Sequence, residues 1–223
     1  MAPPCPIGDV TDREAGRACA SQCDVVTFEH EEVPAGVLAA LQSDGVVIHP
    51  APAALGFALD KLSMRRRLTE IGVACDLDRG GGLLVDGLLA EHGVDVVREL
   101  AVLVARSPSG QASAWAVVET VQTDGICTEV LAPAPGLDPH LAAVATEAGL
   151  RIAGELGVTG VMAVEMFEVR DARTGNPAYV VNELAMRPHN SGHWSIDGAV
   201  TSRVAQHLRA RLAPPPGRTR RCP

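Results

Sequence analysis

Residues 178–194 constrain this chain more than any other stretch, because an apolar strand there runs directly into a dense set of polar groups. Within a dozen residues the segment contains a carboxylate, an amide, a guanidinium and two imidazoles, and Ser191-Gly192 allows a tight turn. Polar side chains collected where a strand ends usually face a ligand. The alternative is a solvated exit from the strand, but packing has no use for so many polar groups. We therefore predict a functional site here.

Two glutamates are predicted to face each other beside this segment. Residues 161–169 and 178–185 have the pattern of strands joined by a turn-rich linker, and symmetric pairing places Glu165 opposite Glu183. Directly opposed residues have Cβ atoms about 4.5–5.5 Å apart, so two bare carboxylates would repel each other. A divalent cation between them, with Asn182 alongside, removes that repulsion. A register slip of one residue would instead turn Glu183 to the other face of the sheet.

The first part of the chain alternates strands with helices. Residues 24–28 and 46–48 have the pattern of short strands around a helix over 34–41, a β-α-β arrangement. Residues 53–71 are helical, but their apolar positions change face midway, so the helix either breaks or is covered on both sides. Residues 72–90 give no clean periodic element.

The second part begins with an antiparallel meander. Its three strands are predicted over residues 100–106, 113–121 and 126–131, the second turn falling at Asp124-Gly125. A long helix follows, with Asp138 as its N-cap and Gly157 at its C-terminal end. A last helix is predicted over 199–212, with Val200, Val204 and Leu208 on one side.

Charge and composition exclude several broad classes of function. A net charge of −8 and a pI near 5.3 argue against nucleic-acid or membrane partners, which need clustered Lys and Arg. The basic run at residues 65–67 has the pattern of a solvated helix surface, with a phosphate-binding patch as the less favoured alternative. No apolar run reaches the roughly 20 residues of a membrane span, and no secretory signal is recognisable. Six cysteines without metal-site spacing are expected to be reduced thiols, which predicts a cytoplasmic protein.

Several blocks, in the expected order, give the chain a resemblance to a known family. Residues 88–102 resemble the adenine-hinge region of ATP-grasp enzymes, and Glu165 with Asn182-Glu183 matches the metal- and phosphate-binding acids of that superfamily. Residues 27–34 and 99–106 are similar to N5-carboxyaminoimidazole ribonucleotide synthetases. So is the string NELAMRPHNSGHW at residues 182–194. The resemblance implies an α/β (α+β) ATP-grasp fold, with an antiparallel sheet carrying the metal acids and a reduced N-terminal β-α-β piece.

That family carboxylates 5-aminoimidazole ribonucleotide with bicarbonate and ATP in purine biosynthesis, so the resemblance implies an ATP-grasp ligase that uses Mg²⁺ or Mn²⁺ and forms a homodimer. It implies that Glu165 and Glu183 hold the metal, Lys61 contacts phosphate and Glu99 contacts the ribose. The full nucleotide-binding set that it implies is Lys61, Glu91, His92, Gly93, Val94, Glu99, Gln122, Asn182 and Glu183. The implied bicarbonate and ribonucleotide pocket is lined by Arg187, His189, Asn190, Ser191 and His193.

The chain also departs from the family pattern. The family's glycine-rich first strand is not matched, and no lysine follows Lys61. A phosphate-wrapping glycine loop is reduced to residues 79–82. The resemblance therefore divides the chain into an N-terminal domain remnant (1–57), a shortened central part without the loop (58–90), a catalytic ATP-grasp subdomain (91–212) and a loose tail (213–223).

Two functions remain open at this point. One is carboxyaminoimidazole ribonucleotide synthesis, and the other is a non-catalytic, nucleotide-binding or dimerising remnant of the same family. A third candidate, another ATP-grasp ligase or a biotin-dependent carboxylase, would not carry the His-Asn-Ser-Gly-His-Trp string at residues 189–194.

Overall fold

The computed structural model describes residues 7–75, 83–85, 88–91, 93–212 and 217–222. Its α-helices are α1 (Arg13–Ala20), α2 (Ala35–Ser43), α3 (Pro52–Leu59), α4 (Lys61–Glu70), α5 (Pro139–Glu155), α6 (Ser195–Gly198) and α7 (Arg203–Arg211). Its strands are β1 (Leu83–Val85), β2 (Leu88–Ala90), β3 (Arg98–Arg106), β4 (Ala112–Ala114), β5 (Val118–Thr123), β6 (Ile126–Leu131), β7 (Gly160–Arg170) and β8 (Pro177–Ala185). Within these residues, no helix combines the length and apolar character needed to cross a bilayer.

The main sheet is antiparallel, with strand order β6-β5-β3-β7-β8 and β4 beside β3. The predicted antiparallel sheet is therefore confirmed. The predicted strand over 113–121 is interrupted, however, because Trp115 is buried and its indole donates to the Thr201 carbonyl at 3.3 Å. At the turn before β6, Asp124 and Gly125 both have positive φ, the conformation that favours an Asp-Gly hairpin turn.

The two faces of the sheet differ because side chains alternate along each strand. One face packs against α5, with Leu100, Val102, Val104, Met162, Val164 and Met166 in the main core, and at one end of this face Arg98 forms ion pairs with Glu119 and Glu168. The other face is apolar only where α7 covers it, through Leu103, Ala105, Val161 and Ala163. Further along the same strands, this second face carries Glu99 and Glu165. The register of β3 and β7 therefore places acids where the helical cover ends.

The predicted helix over 53–71 breaks at Asp60. The backbone N–H of Asp60 closes α3 by donating to Gly56, and its side chain caps α4 by accepting from Ser63 N–H at 3.0 Å. One residue therefore ends one helix and begins the next, which explains the change of apolar face. The break also places Lys61 at the first position of α4.

The N-terminal piece contains less sheet than predicted. Its two predicted strands reduce to one parallel bridge between Val26 and Ile48, with α2 between them as expected. Residues 72–90, which gave no clean pattern, contain the antiparallel pair β1–β2. The glycine-rich residues 79–82 lie outside the described residues.

The predicted last helix, over residues 199–212, is shorter in the structure, where α7 begins at Arg203, and its apolar side faces outward. Val200, Val204 and Leu208 are about half exposed, whereas Arg203, Gln206 and His207 are buried. The polar side packs inward because it satisfies backbone groups, a contribution that a hydrophobic pattern does not register. Arg203 donates to the His189 carbonyl, and His207 Nδ1 accepts from Val161 N–H at 2.9 Å.

Candidate functional site

The centre of the candidate site is a bulge in the β7–β8 hairpin. Glu165 pairs with Glu183, as predicted, and Met166 pairs with Val181, so Asn182 is an extra residue in β8. A bulge sets two residues of one strand against one of the other and bends the strand locally. The amide of Asn182 and the carboxylate of Glu183 consequently lie beside the same opposing residue, Glu165.

Contacts along the outer edge of β8 hold the strand just before the bulge. Val181 N–H donates to the Ala74 carbonyl at 3.0 Å, and the Val181 carbonyl accepts a hydrogen bond from Arg65. Backbone groups of an edge strand are otherwise unpaired. These contacts fix the residue that precedes Asn182 and Glu183.

The bulge opens into a cavity of about 430 Å³. Seven predicted site residues line it: Glu99, Gln122, Glu165, Asn182, Glu183, His189 and Asn190. Sequence reasoning missed its other lining residues: Gly125, Ile126, Cys127 and Phe167. The predicted Asp124-Gly125 turn was the signal for the first three, since it returns β6 beside β5. Phe167 lies two residues after Glu165 and therefore on the same face of its strand.

The cavity is electrostatically negative, and the pKa values of its groups reflect this. Burial raises the pKa of Glu99, the interaction with Gln122 lowers it, and repulsion from Glu165 raises it again, with a net increase. Burial and the charges of Glu165 and Glu99 likewise raise the pKa of the Cys127 thiol. Each carboxylate therefore makes the cavity less favourable for other anions unless a cation is bound.

His189 connects the acids to the polar segment that follows β8. Its Nε2 lies 2.9 Å from Glu165 Oε1, and its Nδ1 lies 3.0 Å from the hydroxyl of buried Ser191. Since Nδ1 also accepts from Ser191 N–H, the proton is assigned to Nε2, facing Glu165. Ser191 thus contacts the ring of His189 and not the cavity.

A second group of charges lies along α4. Glu91 accepts hydrogen bonds from Arg65 at 2.6 Å and forms an ion pair with Lys61 at 3.1 Å. Burial alone would raise the pKa of Glu91, but Arg65 and Lys61 outweigh burial and lower it. Lys61 also donates to Asn182 Oδ1 at 3.3 Å and lies 3.8 Å from Glu183.

The prediction that residues 65–67 form a solvated surface is wrong for Arg65, whose side chain is 3% exposed. Arg65 lies one turn after Lys61, on the same side of α4, which was the available signal. Arg65 and Glu91 line a small cavity of about 50 Å³ together with Val94, Phe167, Val180, Val181 and Asn182. Phe167 and Asn182 also line the larger cavity, so the two are adjacent.

The remaining predicted residues lie elsewhere. Arg187 is bound to Glu31, with Nε donating to Oε2 at 2.8 Å. His193 is exposed and lies close enough to Arg203 for that charge to lower its pKa, although burial lowers it more. Gly93 is exposed, with open space around it. His92 lies outside the described residues.

The donors at the bulge suit a hard cation. Among the described residues, no group of three or more His, Cys, Asp or Glu side chains is arranged to hold a metal ion. Two facing carboxylates beside an amide oxygen nevertheless match the way Mg²⁺ is bound with nucleotides, through one or two carboxylates plus phosphate oxygens. The fit therefore depends on a phosphate ligand as well as on the protein.

Comparison with known sequences agrees with this geometry. The family model described as an ATP-grasp domain matches residues 73–204. The N5-carboxyaminoimidazole ribonucleotide synthase of Mycobacterium tuberculosis (strain ATCC 25618 / H37Rv) is 46% identical over 258 aligned residues, which cover 95% of this chain and 59% of the relative. The synthase of Corynebacterium ammoniagenes is 41% identical, covering 96% of this chain and 63% of the relative.

The chain thus spans about three fifths of the length of these curated relatives. The alignment with the mycobacterial relative extends over 258 positions although the chain has only 223 residues, so the relative contains internal segments that this chain lacks. Such missing segments agree with the internal shortening that the resemblance implies.

Solved structures show the same similarity. The N5-carboxyaminoimidazole ribonucleotide synthetase from Thermus thermophilus superposes with a TM-score of 0.85 at 30% identity, covering 96% of this chain and 69% of that one. The synthase from Aspergillus clavatus, in complex with ADP and 5-aminoimidazole ribonucleotide, gives a TM-score of 0.82 at 28% identity, covering 94% and 65%. The chain therefore belongs to the ATP-grasp family, in which the relatives that it matches are N5-carboxyaminoimidazole ribonucleotide synthases.

Proposed function

We propose that this chain performs the ATP-dependent carboxylation of 5-aminoimidazole ribonucleotide with bicarbonate, giving N5-carboxyaminoimidazole ribonucleotide for purine biosynthesis. The observation that carries the proposal is the pairing of Glu165 with Glu183 at the Asn182 bulge, in a cavity that adjoins the Glu91 hinge. The identity of the substrates is inferred from the synthases whose alignments cover almost the whole chain.

In this proposal the nucleotide lies across the two adjacent cavities. The base lies beside Glu91 and Val94, where the small cavity adjoins the larger one at Phe167 and Asn182, and Glu99 contacts the ribose. Glu165 and Glu183 provide oxygen ligands for Mg²⁺ or Mn²⁺, which neutralises phosphate charge when bound. Lys61 lies 3.8 Å from Glu183, within reach of a phosphate bound between the acids.

Bicarbonate and the ribonucleotide occupy the other end of the site in this proposal. Arg187, His189 and Asn190 are the groups that bind and orient them, because these side chains follow directly on β8 and the bulge. Bicarbonate attacks the γ-phosphate of ATP, which yields ADP and carboxyphosphate. Carboxyphosphate then releases phosphate and CO₂, and the amine of the ribonucleotide attacks CO₂. Positioning and charge neutralisation provide most of the catalysis in such transfers.

The test is phosphate release from ATP, measured with and without the ribonucleotide and bicarbonate. We expect both to stimulate release, and Glu183→Ala to abolish the stimulation. Glu129→Ala is the matched control, since Glu129 is an exposed glutamate on the opposite edge strand, β6, and lies outside the cavity. Folded protein that shows no stimulated release would contradict the proposal for this chain.

A second candidate function is nucleotide binding without turnover. Lys61 is the chain's only lysine, and its ammonium group already forms an ion pair with Glu91. ATP-grasp chemistry must stabilise negative charge on the transferred phosphate. Because Lys61 is already paired with Glu91, less positive charge is available for that purpose, which favours binding without turnover. Mg-ADP binding without stimulated phosphate release would favour this candidate.

The proposal extends to a homodimer located in the cytoplasm, as the resemblance implies. An exposed apolar surface supports the dimer: Ile196, Val200, Val204, Leu208 and Leu212 project from α6, α7 and the residues beside them. Sedimentation equilibrium measures the oligomeric state directly. A monomer at high protein concentration would contradict this part of the proposal.

A further inference from the structure

A segment of the N-terminal piece, residues 27–31, contacts the part of the chain that follows β8 through three side chains. Thr27, Glu29 and Glu31 each interact with a residue of this region. Thr27 Oγ1 lies 3.2 Å from His207 Nε2, and Glu29 interacts electrostatically with Arg203. Phe28, between them, packs into the apolar core.

Glu31 makes the strongest of these contacts. Its Oε1 accepts from Met186 N–H at 3.1 Å, and its Oε2 accepts from Arg187 Nε at 2.8 Å. The two side chains of the ion pair are largely buried, at 16% exposure for Glu31 and 25% for Arg187. Charge-assisted bonds of this kind are stronger and more directional than neutral ones. One carboxylate thus fixes both the backbone and the guanidinium at the start of the polar segment.

This contact leaves part of the Arg187 guanidinium available. Nε is bound to Glu31, and Nη1 makes only a long contact of 3.4 Å to the Pro188 carbonyl. Within the described part of the chain, Nη2 makes no hydrogen bond. A guanidinium held along one edge presents its remaining N–H groups in a fixed direction, which suits a planar oxyanion.

We infer that Glu31 is a positioning residue, which acts through Arg187 to orient the binding of bicarbonate. This inference rests on the proposed function for the identity of the anion. Glu31 also competes for Arg187 with the acids of the cavity, since a flexible guanidinium would be attracted to Glu165 and Glu183. The ion pair between Glu31 and Arg187, here called the clamp, therefore holds the guanidinium away from Glu165 and Glu183 and leaves its Nη2 group free to bind the second substrate.

The first test compares Glu31→Gln with Glu32→Gln. Glutamine has a single acceptor oxygen, so its NH₂ group would face either Met186 N–H or Arg187 Nε and lose one bond. Glu32 is the exposed neighbour and loses the same charge. We expect Glu31→Gln to raise the KM for bicarbonate about tenfold or more, with Mg-ADP affinity unchanged, and Glu32→Gln to change neither. A loss of Mg-ADP affinity in parallel would indicate a merely structural role and overturn the inference.

A double-mutant cycle separates action through Arg187 from an independent effect. In an Arg187→Ala background, Glu31→Gln should have no further effect on bicarbonate-dependent turnover, because the residue through which it acts is absent. Additive losses would show that Glu31 acts by another route.

A spectroscopic measurement does not depend on turnover. The Nε–H signal of Arg187, assigned in a ¹H–¹⁵N spectrum by its absence in Arg187→Lys, reports directly on the bond to Glu31. We expect Glu31→Gln to shift this signal and speed its exchange with water, whereas Glu32→Gln leaves it unchanged. Bicarbonate added to the wild-type protein should shift it as well.

These results distinguish the inference from the function on which it rests. A signal that responds to Glu31→Gln and to bicarbonate, in a protein without ribonucleotide-stimulated turnover, would refute the proposed function and retain the clamp. If Glu31→Gln leaves the Nε–H signal of Arg187 unchanged, the clamp is refuted, whether or not the protein shows stimulated turnover.

Discussion

Glu183 lies directly opposite Glu165 only because β8 contains one extra residue at Asn182. Nearer the turn, Met166 pairs with Val181, and that register continued without a bulge would place Asn182 opposite Glu165. Glu183 would then point to the other face of the sheet. The bulge is therefore the feature that converts an ordinary hairpin into a pair of facing carboxylates with an amide beside them.

The buried His207 should make stability depend on pH. Burial and the nearby Arg211 charge lower the pKa of His207 from 6.5 to about 3, so the folded protein keeps it neutral. Between these values the unfolded chain binds more protons, and stability is lost as the pH falls from 6.5 towards 3. Each pKa unit corresponds to about 1.4 kcal/mol, so the loss amounts to several kcal/mol.

The measurement is urea unfolding between pH 7 and pH 4. In His207→Asn, the amide oxygen can still accept from Val161 N–H, and the acid-dependent loss should become smaller by several kcal/mol. His140→Asn, at an exposed position on α5, is the control and should retain the wild-type slope. If the free energy of unfolding changes equally with pH in the wild type, His207→Asn and His140→Asn, the acid-dependent loss does not come from His207.

Arg211 should destabilise the fold. Its guanidinium nitrogens Nε, Nη1 and Nη2 are buried and have no hydrogen-bond partner among the described residues. Burial lowers its pKa to about 9, which still leaves it charged at neutral pH. Replacing a buried, uncompensated charge with an apolar side chain is expected to stabilise by about 1–4 kcal/mol.

Chemical denaturation of Arg211→Leu at pH 7 tests this expectation. Arg209→Leu removes the same charge from an exposed position of α7 and should change the free energy of unfolding by less than about 0.5 kcal/mol. If Arg211→Leu proves less stable than the wild type, the guanidinium is compensated by an interaction, and the expectation is wrong.

Gly192 should tolerate no side chain. A Cβ at this position would lie 2.3 Å from Leu103 Cδ2 and 3.0 Å from Arg203 Cδ, so the segment after His189 would have to move. We expect Gly192→Ala to cost about 1–3 kcal/mol and to weaken substrate binding. Gly154→Ala, in α5 with open space around it, should be neutral or slightly stabilising in the same unfolding assay. Equal stability of the two variants would refute this packing argument.

Much of the fold follows from local rules. The Asp138 cap, the Asp124-Gly125 turn and the β5–β6 and β7–β8 hairpins were all predictable, because each depends on residues close together in the sequence. The same locality explains the failures. Trp115 interrupts a predicted strand by binding a carbonyl 86 residues away, and no periodicity registers such a contact.

The candidate site was predictable where it depends on strand pairing. Glu165 and Glu183 were placed by counting residues from the turn, which gave the right pair although the count did not include the bulge. Arg65 and Glu31 were missed because their partners, Glu91 and Arg187, lie 26 and 156 residues away. The spacing places Arg65 on the same side of α4 as Lys61, but it does not show that a distant acid will bind and bury the side chain.

The measurement that tests the central claim most directly is calorimetric titration of Mg-ADP into folded wild-type protein and into Glu183→Gln. Glutamine keeps the shape of the side chain and removes the metal-binding charge. We expect Mg-ADP to bind the wild type, to bind Glu183→Gln at least tenfold more weakly, and to bind Glu129→Gln as tightly as the wild type. Equal affinity in all three proteins, or no binding to the wild type, would contradict the claim that the facing carboxylates form a metal-nucleotide site.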